Sequence, residues 1–263
     1  MDNKIPKIIH YCWFGKNPLP ELAQKCIASW KKYLPDYEIK EWNEESYDVR
    51  KIPYTAQAYD SKKYAFVSDY ARFDILYQYG GLYFDTDVEV IKPLGEILKR
   101  GAFAGVERAG SLAAGLGLAS PAASPIYKEI LDSYKNSSFL RDDGSMDLTT
   151  VVTRVSDIFR KHGFTDKNEI QEVDGIVIYP TEYFCPVNPS TGELKITENT
   201  YTIHHYAATW TIPLRKKYMS LRNSLSKKFG IKIVKIILLP MQFVCVVKEI
   251  GVRAAFQKKL RRK

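Results

Sequence analysis

The sequence predicts an α/β fold: a Rossmann-like, mostly parallel sheet flanked by helices, followed by a basic, partly apolar helical extension at the C-terminus. Three observations carry this. An apolar run, a helix-spaced segment and a second extended run follow one another over residues 7–42, the rhythm of a βαβ unit. A long apolar helical stretch then stops at Gly80-Gly81 and gives way to a short strand running into Asp85-Thr86-Asp87. Finally, charge is divided very unevenly along the chain. Residues 214–263 hold 15 Lys/Arg against the single acid Glu249, a net +14. Residues 1–213 hold 24 basic and 29 acidic side chains, a net −5, so the overall +9 belongs to the tail.

Taken in order, Lys7 to Phe14 (KIIHYCWF) is continuously apolar and ends at Gly15, as expected of a buried first strand. Residues 20–33 place Leu22, Cys26, Ile27 and Trp30 at helical spacing and end before Pro35. Glu38 to Trp42 reads as the second strand. Residues 56–79 read as mostly helix, with Phe66, Tyr70, Phe73 and Leu76 toward a core, and Gly80-Gly81 supplies the left-handed C-cap that helices favour. A strand over Leu82–Phe84 follows, and the chain is expected to stay extended through Ile91, up to Pro93. Ala102–Val106 reads as a strand. Glu107–Pro125, rich in Gly and Ala, reads as a flexible or close-approach loop. Residues 126–134 and 147–162 read as helices, and 176–178 and 201–205 as strands. The body is expected to end near Pro213, giving a domain over 1–213 and an extension over 214–263.

Composition narrows the class. At 263 residues, 45% apolar and 26% charged, the chain suits one substantial globular domain plus an appendage. The four cysteines (Cys12, Cys26, Cys185, Cys245) form no CxxC pair and read as reduced or buried, neither a disulfide frame nor a zinc site. The N-terminal MDNKIPKIIHYCWFG has no signal-peptide apolar region, so a cytoplasmic protein is expected.

Two carboxylates one residue apart at the end of a buried strand can hold a divalent cation between protein and a phosphate-bearing ligand. Strand alternation puts Asp85 and Asp87 on one face, about 7 Å apart at their α-carbons. The plain alternative is a strand-end turn with two solvated acids. Asp69 and Arg72, three apart on the preceding helix, share a face. They are either a simple ion pair or, beside a metal site, a grip for sugar hydroxyls, since Arg donates through a rigid fork and Asp accepts from vicinal hydroxyls.

The run VSDYARFDILYQYGGLYFDTDVEVIKPL resembles the DxD-containing "sugar-binding region" glycosyltransferases, a group that includes yeast α-mannosyltransferases, bacterial capsule and lipopolysaccharide enzymes and, more distantly, the glucosylating clostridial toxins. IPKIIHYCWFG, PTEYFCPVN and HHYAATW extend the resemblance, in order, over about the first four-fifths of the chain. It implies a GT-A fold and sugar transfer with retention of configuration, dependent on Mn²⁺ or Mg²⁺. It implies that Trp13 stacks on the nucleotide base, that Asp69, Arg72 and Tyr83 bind the donor, that Asp85 contacts ribose and sugar, and that Asp87 binds the metal. It further implies that Trp210, with His205 chosen over His204 as the third metal anchor, closes over the diphosphate. Thr209 stands where many relatives have Ser. The expected donor is a UDP-hexose, with GDP-mannose second. The expected acceptor is a glycan or lipid-linked oligosaccharide in bacterial surface polysaccharide synthesis.

The tail contains the uncharged run Ile236–Val247, too short to span a bilayer, which needs about 20 residues. Flanking lysines suggest instead an element lying on an anionic membrane surface, making the protein peripheral on the inner face of the cytoplasmic membrane. Two rivals from other classes stand beside this reading. One is a non-catalytic binder of nucleic acid or glycan, which the acidic body disfavours for nucleic acid; no nucleic-acid partner is expected. The other is a metal-dependent phosphohydrolase using the same acids.

Overall fold

The structure is a computed structural model that describes residues 4–188, 191–207 and 211–250. The N-terminal βαβ unit forms as the apolar pattern dictates. Strand β1 (Ile8–Cys12) leads through helix α1 (Glu21–Tyr33) to β2 (Glu38–Trp42), and the two strands pair in parallel from Ile8↔Glu38 to Cys12↔Trp42. Burial of Ala23, Cys26 and Trp30 fixes the inner face of α1. The expected long helix divides in two, α2 (Pro53–Asp60) and α3 (Tyr64–Tyr79), parted at Lys62, whose φ is +55°.

Helix α3 ends at Gly80, whose amide donates to the Leu76 carbonyl, and strand β3 (Gly81–Tyr83) pairs in parallel with β1. Gly81 is required here. Its φ is +102°, and a Cβ would stand 2.7 Å from the Ile8 carbonyl oxygen and 3.1 Å from His10 Nε2. His10 is itself fully buried, with the Trp42 indole donating to Nδ1 at 3.1 Å and Nε2–H donating to the Gly80 carbonyl at 2.9 Å. A neutral ring satisfies both bonds. Burial drives its pKa down to about 4.

Beyond β3 the sheet becomes mixed. Its path is β2, β1, β3, then β7 (Leu118–Ser120), β5 (Phe103–Arg108), β9 (Ile176–Tyr179) and β8 (Gln171–Val173), with β6 (Ser111–Leu112) on β5. β9 runs parallel to β5, whereas β7 is antiparallel to both its neighbours. The segment expected to be a flexible or close-approach loop thus supplies β6 and β7, and Ala113, Ala114, Leu116, Leu118 and Ala119 are buried. Small residues gave no periodic signal, yet they fit where a strand threads between two others. The short helix α4 (Gly95–Leu98) precedes β5, α5 (Pro125–Lys135) and α6 (Val151–Lys161) follow where the apolar spacing placed them, the second starting four residues late, and the short α7 (Thr181–Phe184) comes after β9.

The chain leaves this sheet at Tyr83. Strand β4 (Val88–Val90) belongs to a second, two-stranded sheet, antiparallel to β10 (Thr202–His204). The acids therefore lie in the crossing between two sheets. Thr86 and Asp87 form a turn closed by Val88 N–H to the Asp85 carbonyl at 3.0 Å. The expectation that the chain stays extended through the acids is corrected here, because a sheet-to-sheet crossing needs a bend that strand alternation does not describe.

By contact density the chain divides into two compact units. The first comprises residues 1–139, 148–186 and 196–206, and holds both sheets. The second comprises 140–147, 187–195 and 207–263. Its helices are α8 (Pro213–Phe229), α9 (Ile231–Ile237) and α10 (Leu239–Ile250), and its small core is Tyr218, Val234, Leu238 and Cys245. All four cysteines are buried and none is in a disulfide among the described residues.

Candidate active site

Arg72 organises the site. Its guanidinium is 4% exposed and reaches two carboxylates, Asp69 Oδ1 at 2.8 Å and Asp85 Oδ1 at 3.3 Å. Nε is anchored on the Ser68 carbonyl one turn back on α3, and the guanidinium lies 4.9 Å from the centroid of the Tyr83 ring. Burial opposes its charge, but the acids, Asp85 foremost, hold its pKa above the ordinary arginine value. A buried cation held by two half-buried acids is costly to assemble and stabilises the fold little compared with apolar packing. Ionisable groups with shifted pKa values cluster at functional sites.

Asp69 illustrates the cost. Its carboxylate accepts from Arg72 and from the Val151 amide, the first residue of α6, yet burial pushes its pKa up to about 6. Asp85 is held from three sides. The Tyr83 hydroxyl donates to Oδ1 at 3.0 Å, Arg72 faces it, and its own amide donates to the Gly115 carbonyl at 3.1 Å. Gly115 explains itself here, since a Cβ on it would stand 1.9 Å from Asp85 Oδ2. Asp69, Arg72, Tyr83 and Asp85 are thus brought together.

Asp87 faces the other way. His204 Nε2 lies 3.2 Å from its Oδ1, while His205 Nε2 is bonded to Glu89 Oε2 at 2.8 Å. The two imidazoles go to different acids, so the side chain of His204, not that of His205, meets the DxD motif, while the His205 amide donates to the Asp87 carbonyl at 3.0 Å. Burial would lower the His204 pKa, but the hydrogen bond and charge of Asp87 prevail and raise it. Its Nδ1 is buried and has no hydrogen-bond partner among the described residues.

Glu107, on β5, was not singled out from the sequence. Its charge acts on His204 and Tyr206, and burial raises its own pKa despite Arg108 and His204. Only the tertiary fold signals it. Trp13, just past β1, is half-buried, with its indole donating to the Asn17 carbonyl at 2.6 Å. Thr209 and Trp210 lie outside the described residues.

Residues 20–104 match the model of the glycosyltransferase sugar-binding region containing the DXD motif. That stretch is similar to the family's sugar-binding region. The sugar-binding region contains Asp69, Arg72, Tyr83, Asp85 and Asp87, the five sequence-predicted residues that surround the sheet crossing. Among curated proteins, the chain is 38% identical over 101 residues to inositol phosphoceramide mannosyltransferase 3 of Schizosaccharomyces pombe. That match covers 36% of this chain and 27% of the relative. Mannosyltransferase 1 of the same name and organism is 30% identical over 111 residues, covering 38% and 33%. The chain therefore spans about a third or less of the length of these relatives. An uncharacterised glycosyltransferase of Acanthamoeba polyphaga mimivirus is 32% identical over 107 residues, covering 38% and 42%. Solved structures that resemble it include the PaToxG glycosyltransferase, at TM-score 0.47 and 20% identity over 61% of this chain and 71% of that one. Another is a glycosyltransferase involved in glycosylation of the major capsid of PBCV-1, at TM-score 0.46 and 12% identity over 82% and 99%.

Among the described residues no three His, Cys, Asp or Glu side chains form a ready metal cluster. The donors at hand are the Asp87 carboxylate and the His204 imidazole, with Asp85 nearby. Hard oxygen plus imidazole suits Mn²⁺, and a site supplying few protein ligands suits a cation that keeps water and substrate phosphate in its shell. The residues fit such a metal.

Proposed function

We propose that this chain is a divalent-metal-dependent, retaining glycosyltransferase that moves a hexose from a nucleotide-sugar to a glycan acceptor. The observation that carries the reading is Arg72, a buried guanidinium bonded at once to Asp69 and to the first DxD acid, inside a matched sugar-binding region. A donor sugar approaching this cluster meets carboxylate acceptors on Asp69 and Asp85 for its hydroxyls, and guanidinium donors between them. Trp13 offers a half-buried ring to the base, where stacking contributes about 1–3 kcal/mol. Tyr83 and Gly115 keep the Asp85 carboxylate in one orientation, so little ordering is left to binding. Asp87 and His204 would hold Mn²⁺ or Mg²⁺, which supplies positive charge against the diphosphate leaving group when bound. Each 1.4 kcal/mol of such stabilisation corresponds to about tenfold in rate. Retention is read as same-face attack by the acceptor hydroxyl, its proton passing to the departing phosphate.

The resemblance to capsule and lipopolysaccharide enzymes favours a UDP-hexose, a lipid-linked glycan acceptor and bacterial surface polysaccharide synthesis. The names of the yeast relatives favour mannose, hence GDP-mannose as the second donor. The acceptor places the enzyme at the inner face of the cytoplasmic membrane. Among the described residues no helix is long and apolar enough to cross a membrane, and the basic tail supports peripheral attachment.

The test is a thermal-shift panel of nucleotides and nucleotide-sugars, each with and without Mn²⁺, on the chain and on Asp87→Ala. A metal-dependent rise for one diphosphate nucleoside, lost in the variant, is expected. A flat panel on folded protein would overturn the donor site. Phosphate release that ignores any acceptor would favour the phosphohydrolase, and salt-sensitive RNA binding without donor turnover would favour a nucleic-acid binder.

A further inference from the structure

The second unit carries a surface that its own packing does not explain. Its core takes one side of the α9–α10 segment, where Val234, Leu238 and Cys245 are buried against Tyr218 of α8, with Leu214 and Met219 packed beside them. The other side is apolar too, and open. Phe229, Ile233, Ile236, Ile237 and Leu239 are all more than half exposed, Ile236 to 74%. Five large apolar side chains within eleven residues, at the corner joining three helices, form a contiguous exposed patch of the kind that marks an interaction site.

Along the chain on either side of that corner the charges are of one sign. Lys227, Lys228, Lys232 and Lys235 are exposed beside the patch. The only acid in 214–263, Glu249, is taken up by Arg215, which bonds it through both Nε and Nη2. Nothing anionic within that stretch is left to offset the lysines. Apolar side chains projecting between lysines suit a surface that is itself apolar beneath an anionic face.

We infer that the α8–α9–α10 corner docks on an anionic lipid bilayer, with Phe229, Ile233, Ile236, Ile237 and Leu239 entering the interface and Lys228, Lys232 and Lys235 meeting the headgroups. The inference deepens the peripheral location proposed above and moves the contact from the Ile236–Val247 run to the corner. Within that run Leu238 and Cys245 face the unit's own core. At seven residues α9 lies on a membrane and does not cross it.

The experiment is vesicle sedimentation of the full chain, without donor or metal, on phosphatidylcholine alone and on phosphatidylcholine mixed with phosphatidylglycerol. The variants are Ile233→Ser/Ile236→Ser/Ile237→Ser and Lys232→Glu/Lys235→Glu. Both change exposed positions, and an unchanged melting temperature verifies their folding. The chain should bind the anionic vesicles and leave the neutral ones. Each lysine near the surface is worth about fivefold in affinity, so the double charge reversal should cost at least about 25-fold. The triple serine variant should lose at least about tenfold and keep only salt-sensitive binding. Equal affinity of the triple variant would overturn the inference. So would a concentration-dependent dimer of the parent chain that the triple variant abolishes, which would give the patch to a second copy. Donor-induced thermal shifts do not depend on this surface, so failure here and failure of the donor site are read separately.

Discussion

Replacing Asp69 with Asn should make the protein more stable and less active at the same time. The Asp69 carboxyl titrates near 6 in the folded chain against an ordinary 3.8. A raised folded pKa means that its contribution to stability is fully present below pH 3.8 and is lost as pH rises through 6. The difference of about two pKa units corresponds to about 3 kcal/mol of destabilisation above pH 7. By the same relation roughly half of it has already set in at pH 5. Asn keeps an oxygen to accept from Arg72 and from the Val151 amide, but carries no charge to desolvate. Urea unfolding at pH 5 and pH 8 is the assay. Asp69→Asn should gain stability at pH 8, and the fall between the two pH values should shrink by about 1–2 kcal/mol. Donor turnover should drop by at least about a hundredfold, because an amide cannot replace the carboxylate toward sugar hydroxyls. Equal destabilisation at both pH values would show that the acid is a structural partner of Arg72, and the functional reading of the pair would fail with it.

Three further outcomes are expected. His10, with its pKa lowered to about 4, contributes stability above pH 6.5 that is lost as pH falls through 4, about 3 kcal/mol in all; an NMR titration should find its ring neutral at pH 5.5, with the proton on Nε2. Gly115→Ala should lower the melting temperature and cut donor turnover at least about tenfold, since its Cβ would displace the Asp85 carboxylate from the buried Arg72. Gly95→Ala, where a Cβ meets nothing within 4 Å, is the control and should behave as the parent chain. His204→Ala should weaken Mn²⁺ affinity by about 10-fold or more, measured by titration calorimetry with UDP present, while His205→Ala should leave it within about twofold; the reverse order would return the metal to His205.

Much of the fold was legible because each element states its own period. β2 was bounded correctly from Glu38–Trp42, and α1 to within a residue, because Cys26 and Trp30 are apolar at helical spacing and Pro35 forbids continuation. β7 was not legible. Leu118-Ala119-Ser120 has no alternation to detect, and its role comes from filling the space between β3 and β5.

The site divides along the same line. The sequence by itself determined the residues of the clamp. Asp69 and Arg72 meet because they stand three apart on one helix, and Gly80-Gly81 forces the chain from that helix directly into the strand that bears Tyr83 and leads to Asp85. Those are local relations, set by helix pitch and backbone φ. Which histidine meets Asp87 is not local. It depends on the register of β10 against β4, His204 opposite Val88, between strands more than a hundred residues apart. Gly115 and Glu107 were hidden for the same reason. A missing Cβ matters only where a distant carboxylate needs its space, and a lone glutamate is ordinary until the sheet carries it beside His204 and Tyr206. Short-range geometry wrote the clamp into the sequence, and long-range strand pairing decided what surrounds it.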